Sequence, residues 1–538
     1  MTKTEAFQSQ ARDLIDNLKA VCANYGLGND GNEFKIITQV FLYKFLNDQF
    51  AYEVKRLDPE TAKSESWEAA LKEYTPEAYK MLTLRMGGNT AILKPEHLIT
   101  TLYMQQNEAN FSEIFDDTLT NLAALNSEVF SVSTEGGAKV VLFEPVSQYI
   151  SNPARRSEFC KGMINKLVNF SFEDIFSEKF DFWATLFEYM IKDYNKDGGG
   201  KYAEYYTPHA VARIMARCLV QEEVQNVTCY DPSAGSGTLL MNLAHEIGED
   251  CCTIYSEDIS QKSSHLLRLN LILNKLVHSI PNIIQGNTLL HPSYAGQQFD
   301  YIVSNPPFKL DFSDFRNELD KKENNRRFFA GVPKVPPKSK DKMAIYQLFL
   351  QHIIDSLKDT GKAAVVVPTG FLTAQQGIDK KIRRHLVDER MLGGVISMPS
   401  NIFATTGTNV SILFLDANNK EKIILIDASA LGQKVKSGKN QKTVLTEVEE
   451  ERIINTFNEK KVEDDFSVAV SYKEIEAKNY SLSAGQYFEV KIEYVEITPE
   501  EFQEKIDQHI ANLKSYSNDS AMLETELTKI IEGLNYDL

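Results

Sequence analysis

The sequence predicts an α/β protein: an open, largely parallel sheet with crossover helices, preceded by a helical domain and followed by a helical tail. Three observations predict it. Apolar positions before about residue 165 recur at helical spacing. From Val227 onward, apolar runs of strand length alternate with helical stretches. Two of those strands end in turns built from glycine or proline, Asp231-Pro-Ser-Ala-Gly-Ser-Gly237 and Asn305-Pro-Pro-Phe308.

At 538 residues the chain exceeds one ordinary core. We divide it into a helical domain (1–165), an α/β domain (166–480) and a helical tail (481–538). Hydrophobic content of 43% and charged content of 25% are those of a globular protein. No apolar run reaches the roughly 18 residues that span a bilayer, and Met1 to Gln8 carries no signal-peptide core, so a cytoplasmic protein with no membrane partner is expected. Six cysteines without a Cys-x-x-Cys argue against a disulfide framework or a zinc site. A net charge of -17 lacks the basic footprint of a nucleic-acid binder. Two local stretches run against it: Lys309 to Lys342, and a smaller basic loop, Gln433 to Lys442.

In the first domain, Ala6 to Asn24 and Glu33 to Leu46 read as helices, the second with Phe34, Ile37, Phe41 and Phe45 in register. Trp67 to Leu82 reads as a weaker helix. Phe180 to Tyr194 is amphipathic and precedes a glycine run and Tyr205-Tyr206-Thr207-Pro208. Thr207 suits an N-cap and Pro208 the first helical position of the next helix. Val227 to Asp231, Thr253 to Glu257, Asn282 to Gln285, Tyr301 to Val303, Lys362 to Val367, Leu392 to Met398, Asn409 to Leu415 and Lys422 to Asp427 read as strands. Thr238 to Ile247, Gln261 to Lys275 and Ala344 to Leu357 read as helices. Thr498-Pro499 opens one or two charged helices with Phe502, Ile506, Ile510 and Leu513 on one face.

The chemistry sits at strand ends, where open α/β sheets bind ligands. Glycines at 235 and 237, with Ser233 and Thr238 beside them, let backbone approach a ligand and open a helix toward it. The next strand ends in Asp258, whose carboxylate can accept both hydroxyls of a ribose; Glu257 is the alternate. Ile259 can lie against an adenine ring and Asn287, after the third strand, can read its edge. No Walker-type lysine follows the turn, so an adenosine without phosphates, S-adenosylmethionine, is the expected cofactor. Asn305 ends the fourth strand with a side-chain acceptor. Pro306 and Pro307 remove donors but leave carbonyls, and Phe308 adds an aromatic face. That set suits a planar group bearing an NH2.

Asp231 to Gly237 followed by Asn305-Pro-Pro-Phe308 resembles the amino-methyltransferases of the DNA N6-adenine type. Tyr205-Tyr-Thr-Pro208 resembles the segment that contacts the methionine part of the cofactor, and the motif order resembles the gamma arrangement. More closely, the chain resembles the modification (M) subunit of Type I restriction–modification systems, including Gly331-Val-Pro-Lys-Val-Pro-Pro-Lys338, Thr408-Asn-Val-Ser-Ile-Leu-Phe414 and Asn479-Tyr-Ser-Leu-Ser483. It departs in having Asn287 where the family often has Asp, in a longer 309–345 segment, and in its Ala-Gly-Ser-Gly turn.

The resemblance implies a Rossmann-like class I methyltransferase sheet. It implies methyl transfer to an adenine flipped out of double-stranded DNA, with Asn305 and the Pro306 carbonyl accepting from the amine and Phe308 stacked on the base. It also implies a separate specificity subunit contacted by the tail, two M copies per complex, and leaves a restriction subunit open. The alternatives are a self-sufficient amino-methyltransferase, a protein-glutamine methyltransferase sharing the Asn-Pro-Pro turn, and a non-catalytic scaffold that binds the cofactor.

Overall fold

The computed structural model describes residues 3–28, 31–176, 186, 189–190, 207–403, 409–437, 440–489 and 497–532. Two compact units are present, Met1–Tyr487 and Phe488–Leu538. The first opens with helices Lys3–Asn24 and Gly31–Leu57. The second helix is buried along most of its length, Phe34 to Val54, because aromatic residues from several elements surround it, among them Phe172 and Phe176 against Phe45.

The helix expected over Trp67 to Leu82 is two helices, Trp67–Lys72 and Pro76–Met86. Thr75 caps the second, its hydroxyl accepting from Ala78 N, and Pro76 takes the first helical position, so the signal for a new start overrode the apolar spacing. Most of Phe180 to Tyr194 lies outside the described residues; Leu186, Tyr189 and Met190 are helical, with Leu186 and Met190 buried.

The strands, in chain order, are β1 (Val132–Thr134), β2 (Lys139–Val140), β3 (Val227–Asp231), β4 (Cys252–Asp258), β5 (Ile283–Gln285), β6 (Phe299–Ser304), β7 (Leu357–Pro368), β8 (Leu392–Ser397), β9 (Val410–Asp416), β10 (Ile423–Asp427), β11 (Gln433–Ser437), β12 (Asn440–Val444) and β13 (Ser467–Val470). Among the described residues eleven form one sheet in the order β13-β10-β8-β9-β7-β6-β3-β4-β5-β1-β2. It is parallel from β7 through β6, β3, β4 and β5 to β1, and β10 is parallel to β8. β9 runs antiparallel between β7 and β8, and the edge strands β2 and β13 are antiparallel to their neighbours. Central strands such as β7 are apolar over successive residues, Ala363 to Val367, because helices cover both faces of a parallel sheet.

Several elements were not expected from the sequence. Val132–Thr134 and Lys139–Val140 add β1 and β2 to the β5 side of the sheet. Helices Gly377–Asp388 and Glu447–Asn458 flank the later strands, the latter opened by a Thr446/Glu449 capping box. The basic loop Gln433 to Lys442 is the β11–β12 hairpin, a sheet of its own. In the second unit, Pro499–Glu532 is one helix, and Thr498 caps it as expected, accepting from Glu501 N while donating its own N–H to the Glu501 carboxylate.

The helical part and the sheet share one apolar core. Arg268, on helix Gln261–Leu273, is buried and donates to the carbonyls of Phe130, Val140 and Leu142, fastening the β1–β2 region to the sheet's helix layer. Burial brings its pKa down to about 10. Arg268→Ala strands three carbonyls and is expected to cost about 2–4 kcal/mol in guanidinium unfolding. Arg268→Lys is expected to recover only part, since one ammonium lacks the forked donor geometry.

Candidate active site

The chain leaves β3 to one side, through β4 and β5, then returns to the other side with β6. The carboxyl ends of β3 and β6 are therefore a topological switch point, where the connections diverge and leave a crevice. Asp231 ends β3 and Ser304 ends β6. Asp231 Oδ1 accepts from Ser304 Oγ (2.9 Å) and from Ser233 N (2.9 Å), and the two serine hydroxyls lie 2.7 Å apart. Burial pushes the Asp231 carboxyl up to about 7 in spite of these bonds, with nearby Asp258 adding to the rise. Among the described residues its Oδ2 accepts no hydrogen bond.

The turn after Asp231 uses its glycines for geometry. Gly235 and Gly237 have φ of 54° and 82°, a region that penalises side chains. A Cβ at Gly237 would overlap Leu267 Cδ1. Gly235 N donates to Asp258 Oδ2 (2.9 Å) and Ser260 N donates to Asp258 Oδ1 (2.8 Å). The end of β4 therefore holds the glycine turn and the start of the next helix together. Glu257, the alternate, points elsewhere: it accepts from Tyr230 Oη (2.5 Å) and Ser293 N (2.7 Å) and is buried away from the crevice. Ile259 follows, 65% exposed at the rim. Asn287 Oδ1 accepts from Leu289 N and Leu290 N, both at 3.2 Å. That turn needs one acceptor oxygen, which Asn supplies as well as Asp would, so the departure from the family pattern is structurally tolerated.

At the end of β6, Asn305 is half-buried and donates Nδ2 to Thr207 Oγ1 at 3.2 Å. This orients the amide with its carbonyl oxygen away from Thr207. Thr207 is thus not the helix cap expected of it: the helix is His209–Leu219, its cap position is Pro208, and the threonine hydroxyl is engaged by Asn305.

A cavity of about 330 Å³ occupies the crevice. Of the expected residues, Thr207, Asp231, Ser233, Gly235, Thr238, Asp258, Ile259, Asn287, Asn305 and Pro307 line it. Pro208, Gly237, Pro306 and Phe308 are not on its wall. Pro306 is buried, and Phe308 is half-buried, edge-on to Tyr346 at 6.2 Å. Tyr205 and Tyr206 lie outside the described residues. Sequence reasoning missed the apolar wall of Leu289, Leu310, Phe315, Ile345 and Phe349, whose members come from separate segments and share no local period. It also missed Ser304 as the partner of Asp231, and Arg327, whose buried guanidinium donates to the carbonyls of Thr288 and Leu289 behind the wall.

A family model described as N-6 DNA Methylase matches residues 178–494. The chain belongs to the N-6 DNA methylase family. Curated relatives agree in kind. The methylase subunit of the type I restriction enzyme MpnII of Mycoplasma pneumoniae is 28% identical over 71% of this chain and 69% of its own length. That of MjaIX from Methanocaldococcus jannaschii is 24% identical over 72% and 69%. A type I restriction–modification methyltransferase subunit from Streptococcus thermophilus has the same fold, with a TM-score of 0.71 and 22% identity over 91% of this chain and all of that one. The sheet described above is thus the fold of that methyltransferase subunit.

In this N-6 DNA methylase, Thr207 touches the side chain at the centre of the site. Thr207→Val is expected to lower single-turnover methyl transfer about tenfold, with Thr207→Ser near wild type. In an Asn305→Ala background the valine change is expected to cost little more, as a double-mutant cycle on the same rate measures.

Proposed function

We propose that this chain is the catalytic methylase subunit of a type I restriction–modification complex, methylating N6 of an adenine turned out of double-stranded DNA. The observation that carries the proposal is the junction at the switch point: an amide oxygen on a Pro-Pro turn faces a cavity bounded by two strand-end carboxylates. The side chains there fit S-adenosylmethionine. Asp258 would take the ribose hydroxyls, exposed Ile259 and the apolar wall the adenine, and the free Oδ2 of Asp231 the ammonium. Among the described residues no lysine or arginine lines the cavity to meet a phosphate. When bound, the cofactor supplies a methyl group on a positively charged sulfur.

The protein's own part is positioning. Asn305 Oδ1 and the Pro306 carbonyl accept the two amine hydrogens of the base, which directs the nitrogen lone pair toward the methyl donor. Pro307 keeps that turn stiff, having no N–H and a fixed φ. Phe308, half-exposed, stacks on the extruded base, worth roughly 1–3 kcal/mol. Target choice belongs to a separate specificity subunit, with two copies of this chain per complex, and a restriction subunit stays open as a further partner. The exposed stripe Phe502, Ile506, Ile510 and Leu513 on helix Pro499–Glu532 supports assigning 481–538 to the specificity subunit. Residues 1–165 are the other candidate for DNA or partner contact. Among the described residues no helix is long and apolar enough to cross a membrane, and the DNA substrate proposed here supports the reading of a cytoplasmic reaction.

The first experiment follows labelled methyl from S-adenosylmethionine into genomic DNA, with nucleoside analysis, using this chain alone and with its specificity subunit. N6-methyladenine only with both is expected; activity from the chain alone would make it self-sufficient, and label in protein would make it a glutamine methyltransferase. Asn305→Ala is expected to lower transfer by on the order of 10²–10³ with cofactor affinity nearly unchanged. A mutant with near-normal turnover would remove Asn305 from the reaction.

The Asp231 carboxyl gives a pH signature. With its pKa raised to about 7, it is mostly protonated below that pH in the free protein, whereas an ammonium beside it favours the carboxylate. Binding therefore releases a proton below pH 7. Cofactor affinity is expected to fall by up to about tenfold per pH unit under 7 and to level off above about 8. Calorimetry in buffers of different ionisation enthalpy reads the proton directly, and Asp231→Asn flattens the profile.

A further inference from the structure

The two basic stretches of this acidic chain differ in how acids are distributed among the lysines and arginines. In the first, 309–342, acidic residues are interleaved, and part of its charge is met inside its own fold: Arg316 pairs with Asp320, Lys321 with Glu318, Arg326 with Asp355, and Arg327 is buried on backbone carbonyls. The second has no acid of its own. Ala428 to Thr446 holds four lysines and no acidic residue, and among the described residues none of Lys434, Lys436 or Lys442 has an ion pair.

Its shape and place are specific. Gln433–Ser437 and Asn440–Val444 form an antiparallel ribbon apart from the main sheet. Lys434 and Lys436 are two residues apart, hence on one face and exposed; Lys442 pairs with Val435 and is on the other face. The root is fixed. Thr443 N donates to Asn401 O (3.0 Å) and Thr443 Oγ1 to Ser400 O (2.6 Å), just beyond the carboxyl end of β8. Gly432 N donates to Glu449, the acidic residue at the root, whose carboxylate is also engaged by the Thr446 cap. The ribbon therefore stands on the same edge of the sheet as Asn305. From β6 to β8 is three inter-strand steps, roughly 14 Å, and β10 is one step further.

We propose that the β11–β12 hairpin is a DNA-backbone clamp, its lysines contacting phosphates of the duplex a few base pairs from the extruded adenine. This rests on the DNA-methylase reading above and adds the surface that holds the duplex. A two-stranded ribbon fits the major groove, and cations on both of its faces meet the phosphates on either wall. Lysines contacting phosphates position the duplex without reading sequence, which suits a subunit that leaves target choice to a partner.

The test uses the complex of this chain with its specificity subunit, comparing wild type, Lys434→Gln/Lys436→Gln/Lys442→Gln and the corresponding triple arginine variant. DNA affinity is measured on target and non-target duplexes between about 50 and about 200 mM salt. Each lost phosphate contact lowers the magnitude of the log affinity–log salt slope by about 0.9. The glutamine variant is expected to lose about 2–3 from the slope and to bind both duplexes roughly tenfold to a hundredfold more weakly. Its transfer rate at saturating DNA and its cofactor affinity stay at wild-type values, and the arginine variant keeps the wild-type slope. A glutamine variant with an unchanged slope, in a complex that still binds and methylates DNA, overturns the clamp alone. An unchanged slope with weakened subunit assembly overturns it too and gives the hairpin to an acidic protein partner. A wild-type complex that neither binds nor methylates DNA overturns both this and the functional reading.

Discussion

The site depends on one buried carboxylate. Asp231 Oδ1 joins the end of β3 to the end of β6 through Ser304, at 2.9 Å, and holds its own turn through Ser233 N. The glycine turn and the Asn-Pro-Pro turn leave those two strand ends, so this contact sets the one against the other. A carboxylate is costly to bury unless hydrogen bonds replace its water. Here the bonds offset part of that cost and burial still prevails, leaving the group near neutrality in protonation. Among the described residues no basic side chain on the cavity wall completes the compensation. The ammonium of the proposed cofactor would complete it.

The central strands and both turns were legible in the sequence because their signals are local. A β-branched run that stops at proline, or an apolar run that stops at Asp-Pro followed by glycines, fixes an end as well as a type. The short strands β1, β2 and β13 at the two ends of the sheet were not, since two to four residues carry no period. Neither was the apolar cavity wall, where Leu310, Phe315, Ile345 and Phe349 meet only after 309–345 folds back along the site. Between the adjacent acids the sequence favours Asp258, with Glu257 as the alternate. The alternation of side chains along β4 separates them, sending one to the Tyr230 hydroxyl and the other to the glycine turn.

Three Thr-Pro pairs show how far a local rule reaches. Thr75-Pro76 and Thr498-Pro499 open helices with the threonine hydroxyl capping a backbone N–H. Thr207-Pro208 has the same chemistry and precedes a helix as well, yet its hydroxyl accepts from Asn305, 98 residues away, and the helix begins without a side-chain cap. A cap is worth about 1 kcal/mol. Giving it up orients the amide of Asn305, and the departure from the local rule falls at the candidate site.

Charge follows a similar logic. A net charge of -17 argues against DNA only if charge acts through its sum. At physiological ionic strength exposed charges are screened beyond about 8 Å, so acidic groups elsewhere on the surface contribute little at a given ribbon or loop. What counts is the balance within that radius. In 309–342 acids are interleaved with the cations, and Glu318, Asp320 and Asp355 pair with three of them. At the root of the hairpin, Glu449 is turned to Gly432 and Thr446. The acidic remainder then opposes non-specific adsorption of the whole surface to DNA, while the duplex is drawn to the edge of the sheet where Asn305 stands.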